Sequence, residues 1–175
     1  TQGGDIGAFV STMLGHKYAD RVIGTHLTLL MALKAPFPAA EDFAPEEAEW
    51  GAKFATFMSE HSAYMQVQRT RPQTIGFAMH DSPVGLAAWL IEKRRAWSDC
   101  NGDPVAHYGR DFLCTNASLY WLTNTIGSSL RIYKECFNPA TPPAPRTFGR
   151  IEVPTAMGIS PRELAFMPRR LAEER

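Results

Sequence analysis

A chain of 175 residues has room for one sizeable core, and 45% apolar against 21% charged residues is the balance of a globular protein rather than a disordered one. Lys plus Arg and Asp plus Glu each number 18, so the formal net charge is zero; without a basic cluster beyond Arg69-Thr70-Arg71 and Lys93-Arg94-Arg95, this argues against a nucleic-acid footprint. Cys100, Cys114 and Cys136 are an odd set without Cys-x-x-Cys spacing, which argues against a disulfide framework or a zinc site, and no apolar run reaches the roughly 18 residues needed to cross a bilayer.

The chain opens on Gly3-Gly4-Asp5-Ile6-Gly7, directly before the apolar run Ala8 to Leu14, which predicts a first helix. Small-small-Asp-x-small at the mouth of a helix is the spacing of a nucleophile elbow, with Asp where an esterase carries Ser. The backbone of such a turn needs small neighbours, because a Cβ at the flanking positions would clash. The side chain then projects from a helix N-terminus that favours an anion, and the next backbone N–H, that of Ile6, can form half of an oxyanion hole. An Asp nucleophile attacks an sp³ carbon and leaves an alkyl ester for water to hydrolyse. The same residues also fit a plain turn in which Asp5 caps the helix.

Val22 to Leu27 is short and β-rich, bounded by Asp20-Arg21, and reads as a buried strand. Elbow, helix and strand make an α/β pattern that favours a parallel sheet. Ala35 to Ala40, with Pro36 and Pro38, is a breaker segment closed by Pro45. From about Pro45 to Phe137 the chain reads as helical. Trp50, Phe54, Phe57 and Met58 recur at helical spacing; Asp81-Ser82-Pro83 starts a helix whose face is Val84, Ala87, Ala88 and Ile91. A further long helix from near Asn116 carries the stripe Leu119, Leu122, Ile126, Leu130 and Tyr133. The Pro-rich loop Pro139 to Pro145 ends the helical region, Ile151 to Met157 reads as a second strand, and Gly158 to Pro161 is its exit loop, with Glu163 just beyond.

Two α/β pieces around a helical insertion match an α/β-hydrolase whose core is interrupted by a cap. The helical region narrows the resemblance. Tyr64-Met65-Gln66-Val67-Gln68-Arg69-Thr70-Arg71-Pro72-Gln73-Thr74, then Asp81 to Lys93, Leu119-Tyr120-Trp121-Leu122-Thr123 and Ser128 to Glu135 closely resemble the cap of the microsomal-type and juvenile-hormone-type epoxide hydrolases and their microbial relatives. The likeness runs from Gly3 to at least Glu163. It implies a partial α/β-hydrolase core, with the elbow and few parallel strands, plus a large helical cap: residues 1–40 as a core piece with the elbow, 41–148 as the cap, and 149–175 as a core piece with the triad acid.

The resemblance also implies roles, position by position. Asp5 matches the nucleophile that opens the epoxide. Tyr64 and Tyr133 match two cap tyrosines that donate hydrogen bonds to the epoxide oxygen. Glu163, in Ser160-Pro161-Arg162-Glu163-Leu164, matches the acid that orients the catalytic His. Ile6 stands where many relatives carry Trp, so the backbone donor survives while the pocket wall changes. Phenols, with an ordinary pKa of about 10, can donate to a developing alkoxide without ionising at neutral pH. The fold's order puts the base after the acid, yet His16, His26, His61, His80 and His107 all precede Glu163. The expectation is therefore an internal piece of an epoxide hydrolase, lacking the N-terminal strands and the catalytic His, and inactive by itself. Its expected partners are a small-molecule epoxide and water, with a homodimer as the assembly, no nucleic acid, no cofactor and no metal, and a cytoplasmic location. A haloalkane-dehalogenase-type enzyme and a truncated, non-catalytic binding module are the alternatives; the paired cap tyrosines favour the epoxide.

Overall fold

The computed structural model describes residues 1–30, 40–137, 149–164 and 167–174. Most of the Pro-rich breaker before Pro45 and the whole loop Pro139 to Pro145 lie outside the described residues. The chain divides into two compact units, Thr1–Phe57 with Pro145–Arg175, and Met58–Ala144.

The first unit holds a parallel sheet of three short strands among the described residues: β1 (Gln2–Gly3), β2 (Thr25–Leu27) and β3 (Thr155–Met157), in the order β1-β2-β3. Gln2 pairs with His26 and Gly3 with Leu27; Thr25, His26 and Leu27 pair with Thr155, Ala156 and Met157. Both strands expected from sequence are shorter than expected. Pairing of β3 begins only after Pro154, which has no N–H for the ladder; its carbonyl accepts from the Thr25 N–H at 3.0 Å instead. In the expected strand Val22 to Leu27, Ile23 is 98% exposed and stands outside the sheet.

Helix α1 (Ile6–Lys17) crosses this sheet. Its buried residues are Ala8, Ser11, Thr12 and Gly15, one helical stripe of small side chains, while Val10 is exposed. Small residues are required by the close approach: a Cβ at Gly15 would sit 2.8 Å from the Ile151 side chain. Ala8 joins Leu27, Leu30, Ile151, Met167 and Leu171 in the core of the unit. Helix α2 (Ala48–Thr56) buries Phe54, which stacks on the buried Phe57 at 6.3 Å. At the end of the chain, α9 (Arg169–Glu173) contributes Leu171, and Arg170 donates to the Asp42 carbonyl at 2.6 Å.

The second unit is helical among its described residues: α3 (Ala63–Thr70), α4 (Pro72–Asp81), α5 (Pro83–Trp97), α6 (Pro104–Tyr108), α7 (Arg110–Leu122) and α8 (Ile126–Phe137). A π-helical turn, Phe57–His61, leads into α3. The start of α5 follows the sequence reading: Ser82 accepts from the Gly85 N–H at 3.0 Å, and Pro83 occupies the first turn, where its missing N–H costs nothing. The buried residue of α5, however, is Leu86, fully enclosed, whereas Val84 is 77% exposed. The core of the unit joins Met79, Leu86, Ile126 and Leu130, flanked by Ile75, Trp89 and Trp121.

The long helix expected to carry Leu119 through Tyr133 is two helices. The chain breaks at Thr123-Asn124-Thr125, where Asn124 takes a left-handed φ of 57° and Thr123 and Thr125 join their hydroxyls at 2.7 Å. Ile126 and Leu130 are buried, while Leu119 and Leu122, on the helix before the break, are exposed.

Candidate active site

Asp5 stands between the end of β1 and the start of α1, on the turn that the glycine spacing predicts. Its φ of 47° and ψ of −127° lie in a region that L-residues rarely adopt. Although Asp5 occupies the N-cap position of α1, its side chain makes no capping hydrogen bond. The plain capped-turn reading of this sequence is therefore set aside: the carboxylate is exposed and not spent on the helix. Gly3 is obligatory here, since a Cβ would collide with the Gly7 carbonyl and approach the Ser11 hydroxyl to 2.7 Å. A Cβ at Gly4 would meet the Thr28 hydroxyl at 2.6 Å, whereas one at Gly7 would meet nothing within 4 Å. Ile6 is the first residue of α1, so its N–H has no carbonyl four residues back in the helix to bond. An exposed carboxylate at the start of a helix, next to the Ile6 N–H, is chemically suited to a nucleophile with an oxyanion donor beside it.

Glu163 follows β3 as Asp5 follows β1. Because all three strands are parallel, the two carboxylates leave the sheet at the same, carboxyl-end edge, with β2 between their strands. That edge is where open α/β sheets place their ligands. A turn fixes Glu163, its N–H donating to the Ser160 carbonyl at 3.0 Å and its carboxylate accepting from the Leu164 N–H at 2.9 Å. The carboxylate is half-buried.

In the second unit the structure brings Tyr64, on α3, and Tyr133, on α8, into contact. Their ring centroids are 5.8 Å apart at 76°, edge to face, and both rings are half-buried. Trp97 of α5 lies 5.2 Å from Tyr64, and Phe137 of α8 lies 5.7 Å from Tyr133. The Lys93 ammonium rests 5.4 Å from the Tyr64 centroid and 5.5 Å from that of Trp97. Behind them, the buried Gln68 accepts from the Trp89 indole N–H at 3.2 Å, which ties α3 to α5. A groove of about 510 Å³ along α7, lined by Asp111, Cys114, Leu119 and Leu122, contains none of Asp5, Tyr64, Tyr133 and Glu163.

No family profile matches the sequence. Relatives nevertheless align along nearly all of it. A candidate epoxide hydrolase of Stigmatella aurantiaca (strain DW4/3-1) is 41% identical over 175 residues, covering 99% of this chain and 38% of its own length. Epoxide hydrolase 1 of Sus scrofa is 31% identical over 187 residues, covering 95% of this chain and 41% of its own. The crystal structure of the juvenile hormone epoxide hydrolase of the silkworm Bombyx mori superposes with a TM-score of 0.79 at 29% identity, over 99% of this chain and 45% of that one. Along nearly its whole length the chain is similar to epoxide hydrolases of the α/β-hydrolase fold. It spans about two fifths of the length of the relatives it matches, 38% and 41% of the two named above.

Beside these relatives, the small parallel sheet is consistent with part of an α/β-hydrolase core and the helical unit with a cap. Sequence reasoning missed the surroundings of the tyrosine pair. Lys93 and Trp97 are four residues apart on α5 and so share one face. That spacing was legible, but nothing in the sequence pointed this face at Tyr64. His16 and His80, two of the five histidines, each hydrogen-bond a backbone carbonyl, of Arg150 and Gly76 respectively, at 2.9 Å.

Proposed function

We propose that this chain carries the nucleophile, the acid and the cap tyrosines of an epoxide hydrolase. The Asp5 carboxylate attacks an epoxide carbon; the carbon–oxygen bond breaks, and its electron pair stays on the oxygen. Tyr64 and Tyr133 hydrogen-bond that oxygen as its charge develops; it stays bonded to the neighbouring carbon and becomes a hydroxyl there by taking up a proton from solvent. The product of this step is an ester between Asp5 and the ring-opened substrate. Water, activated by a histidine that Glu163 orients and that is not one of the five in this chain, then attacks the ester carbonyl, with the Ile6 N–H holding the oxyanion. This step releases a vicinal diol and restores the carboxylate.

One observation carries the reading: Asp5 sits at φ 47° on a strand-to-helix turn without capping its helix. Strain of this kind costs on the order of 1–3 kcal/mol and persists where the surroundings impose it, typically at functional sites. The edge-to-face tyrosine pair supports it from the helical unit. The test is to incubate the protein with a small terminal epoxide in ¹⁸O-water and map the peptide containing Asp5 by mass spectrometry. Either a mass increment of one opened epoxide on Asp5 or ¹⁸O in its carboxylate is expected. An Asp5 peptide that carries neither rules the covalent route out.

A further inference from the structure

The Tyr64 ring sits between two different neighbours. Tyr133 meets it edge to face, and the Lys93 ammonium lies 5.4 Å from its centroid. The same ammonium lies 5.5 Å from the Trp97 centroid, and the two rings are 5.2 Å apart, so one cation serves both. Distances under about 6 Å are the range in which a cation is held by an aromatic quadrupole. Lys93 is not a loosely solvated surface lysine. Its side chain is 22% exposed, and its ammonium is paired at 2.6 Å with Glu92, which is 54% exposed. Lysine stems often cover apolar surface while the charge stays in water. Here the charged end itself is at the rings, which a stem packed for its methylenes alone would not require.

A positive charge close to a phenol stabilises negative charge on its oxygen. It thereby strengthens the O–H as a donor at the moment a partner oxygen gains charge. We propose that Lys93 is a positioning residue for Tyr64: its ammonium, fixed across the Tyr64 and Trp97 rings, orients the phenol and strengthens it as the donor to the opening epoxide. The inference rests on the epoxide-opening role given above to Tyr64. No proton leaves Lys93 in this scheme; the hydrogen bonds to the substrate oxygen come from Tyr64 and Tyr133, and Lys93 acts on the first of them.

The test separates charge from packing. Lys93→Met keeps an unbranched apolar stem of similar volume and removes the charge; Lys93→Arg keeps the charge and its affinity for aromatic faces. Ester formation on Asp5 in a single turnover is expected to slow about tenfold in K93M and to recover most of that loss in K93R, the scale of one cation–aromatic contact. Protein labelled with ¹³C at lysine Cε gives a readout independent of activity. The cross-peak that disappears in K93M belongs to Lys93, and ring currents are expected to shift it upfield of the other lysines. A Lys93 cross-peak among those of exposed lysines overturns the inference, as does ester formation in K93M at the wild-type rate, or an equal loss in K93M and K93R. A wild-type protein that never forms the ester overturns the role of Tyr64 itself, and the role of Lys93 with it; that result is distinct from an ester that forms regardless of Lys93.

Discussion

Tyr64 and Tyr133, on separate helices and far apart in the chain, meet edge to face with their centroids 5.8 Å apart. The contact makes the two phenols one structural unit: the rings fix each other, so the hydroxyls are positioned before any ligand arrives. Preorganised donors of this kind need no rearrangement as charge develops. Replacing either tyrosine by Phe keeps the ring contact and removes only the donor. Y64F and Y133F are each expected to slow Asp5 ester formation on the order of 10- to 1000-fold, with melting temperatures close to wild type. A variant that loses stability along with rate would show that the hydroxyl serves the fold instead.

The elbow predicts opposite outcomes at two glycines four residues apart. A Cβ at Gly3 runs into the backbone of Gly7, whereas a Cβ at Gly7 meets nothing. Backbone cannot yield as a flexible side chain can, so G3A is expected to destabilise by several kcal/mol, about the scale of a forced core clash. G7A instead adds a methyl at an exposed position in the first turn of α1 and removes the flexibility of glycine. It is expected to be neutral or to stabilise by about 0.5–1 kcal/mol. Urea denaturation of the two variants checks both directions at once.

How legible the site was in the sequence depended on whether local spacing or tertiary packing sets each feature. The elbow is local: glycines around an Asp before an apolar helix encode a turn within a few residues, and the turn is there. The cap at Ser82-Pro83 is local in the same way. Packing faces are not. Both Leu86 and Val84 are apolar and two residues apart, so they point to different sides of α5, and only contact with α4, α7 and α8 decides that Leu86 is the buried one. The stripe from Leu119 to Tyr133 has a helical period throughout, yet Asn124 turns the chain in the middle because Asn accepts a left-handed φ at little cost. The aromatic and cationic neighbours of Tyr64 were hidden because α5 lies beyond any local window.

The exchange of Val84 for Leu86 as the buried residue has a direct test. Leu86 has 0% exposure in a core with Met79, Ile126 and Leu130. L86A removes packed methyl groups and leaves a cavity, so it is expected to cost about 2–5 kcal/mol. V84A, at 77% exposure, is expected to fall within about 0.5 kcal/mol of wild type. Similar costs for the two would mean that α5 presents a different face to its neighbours.

The pair of buried Gln68 and half-buried Trp89 gives a smaller but sharper effect. Gln68 is 5% exposed, and its side-chain oxygen accepts from the Trp89 indole at 3.2 Å. W89F retains most of the aromatic volume but removes that donor, leaving a buried amide oxygen short of a partner at a cost of about 1–3 kcal/mol. Pairing W89F with Gln68→Leu removes both polar ends, and the double variant is expected to be less destabilised than the sum of the singles. Additive losses in denaturant melts would show that the contact carries no coupling.

Asp5 itself offers the test that joins strain to chemistry. Its φ of 47° with ψ −127° is costly for any residue with a Cβ, and its side chain does not offset that cost by capping α1. Glycine occupies positive φ without penalty, although it surrenders more entropy on folding. Asp5→Gly is therefore expected to stabilise the protein by about 1 kcal/mol, the residue of a strain term of about 1–3 kcal/mol after that entropy is subtracted. The same substitution deletes the carboxylate, so no epoxide ester and no ¹⁸O can be found at position 5. Asp5→Asn keeps the Cβ and the strain while removing the nucleophile, and should be as inert as D5G but no more stable than wild type. A gain in stability with loss of labelling in D5G, and loss of labelling alone in D5N, identifies a carboxylate held in a strained turn for chemistry. If D5G melts below wild type, the backbone at this turn is not under the strain that its dihedral angles indicate.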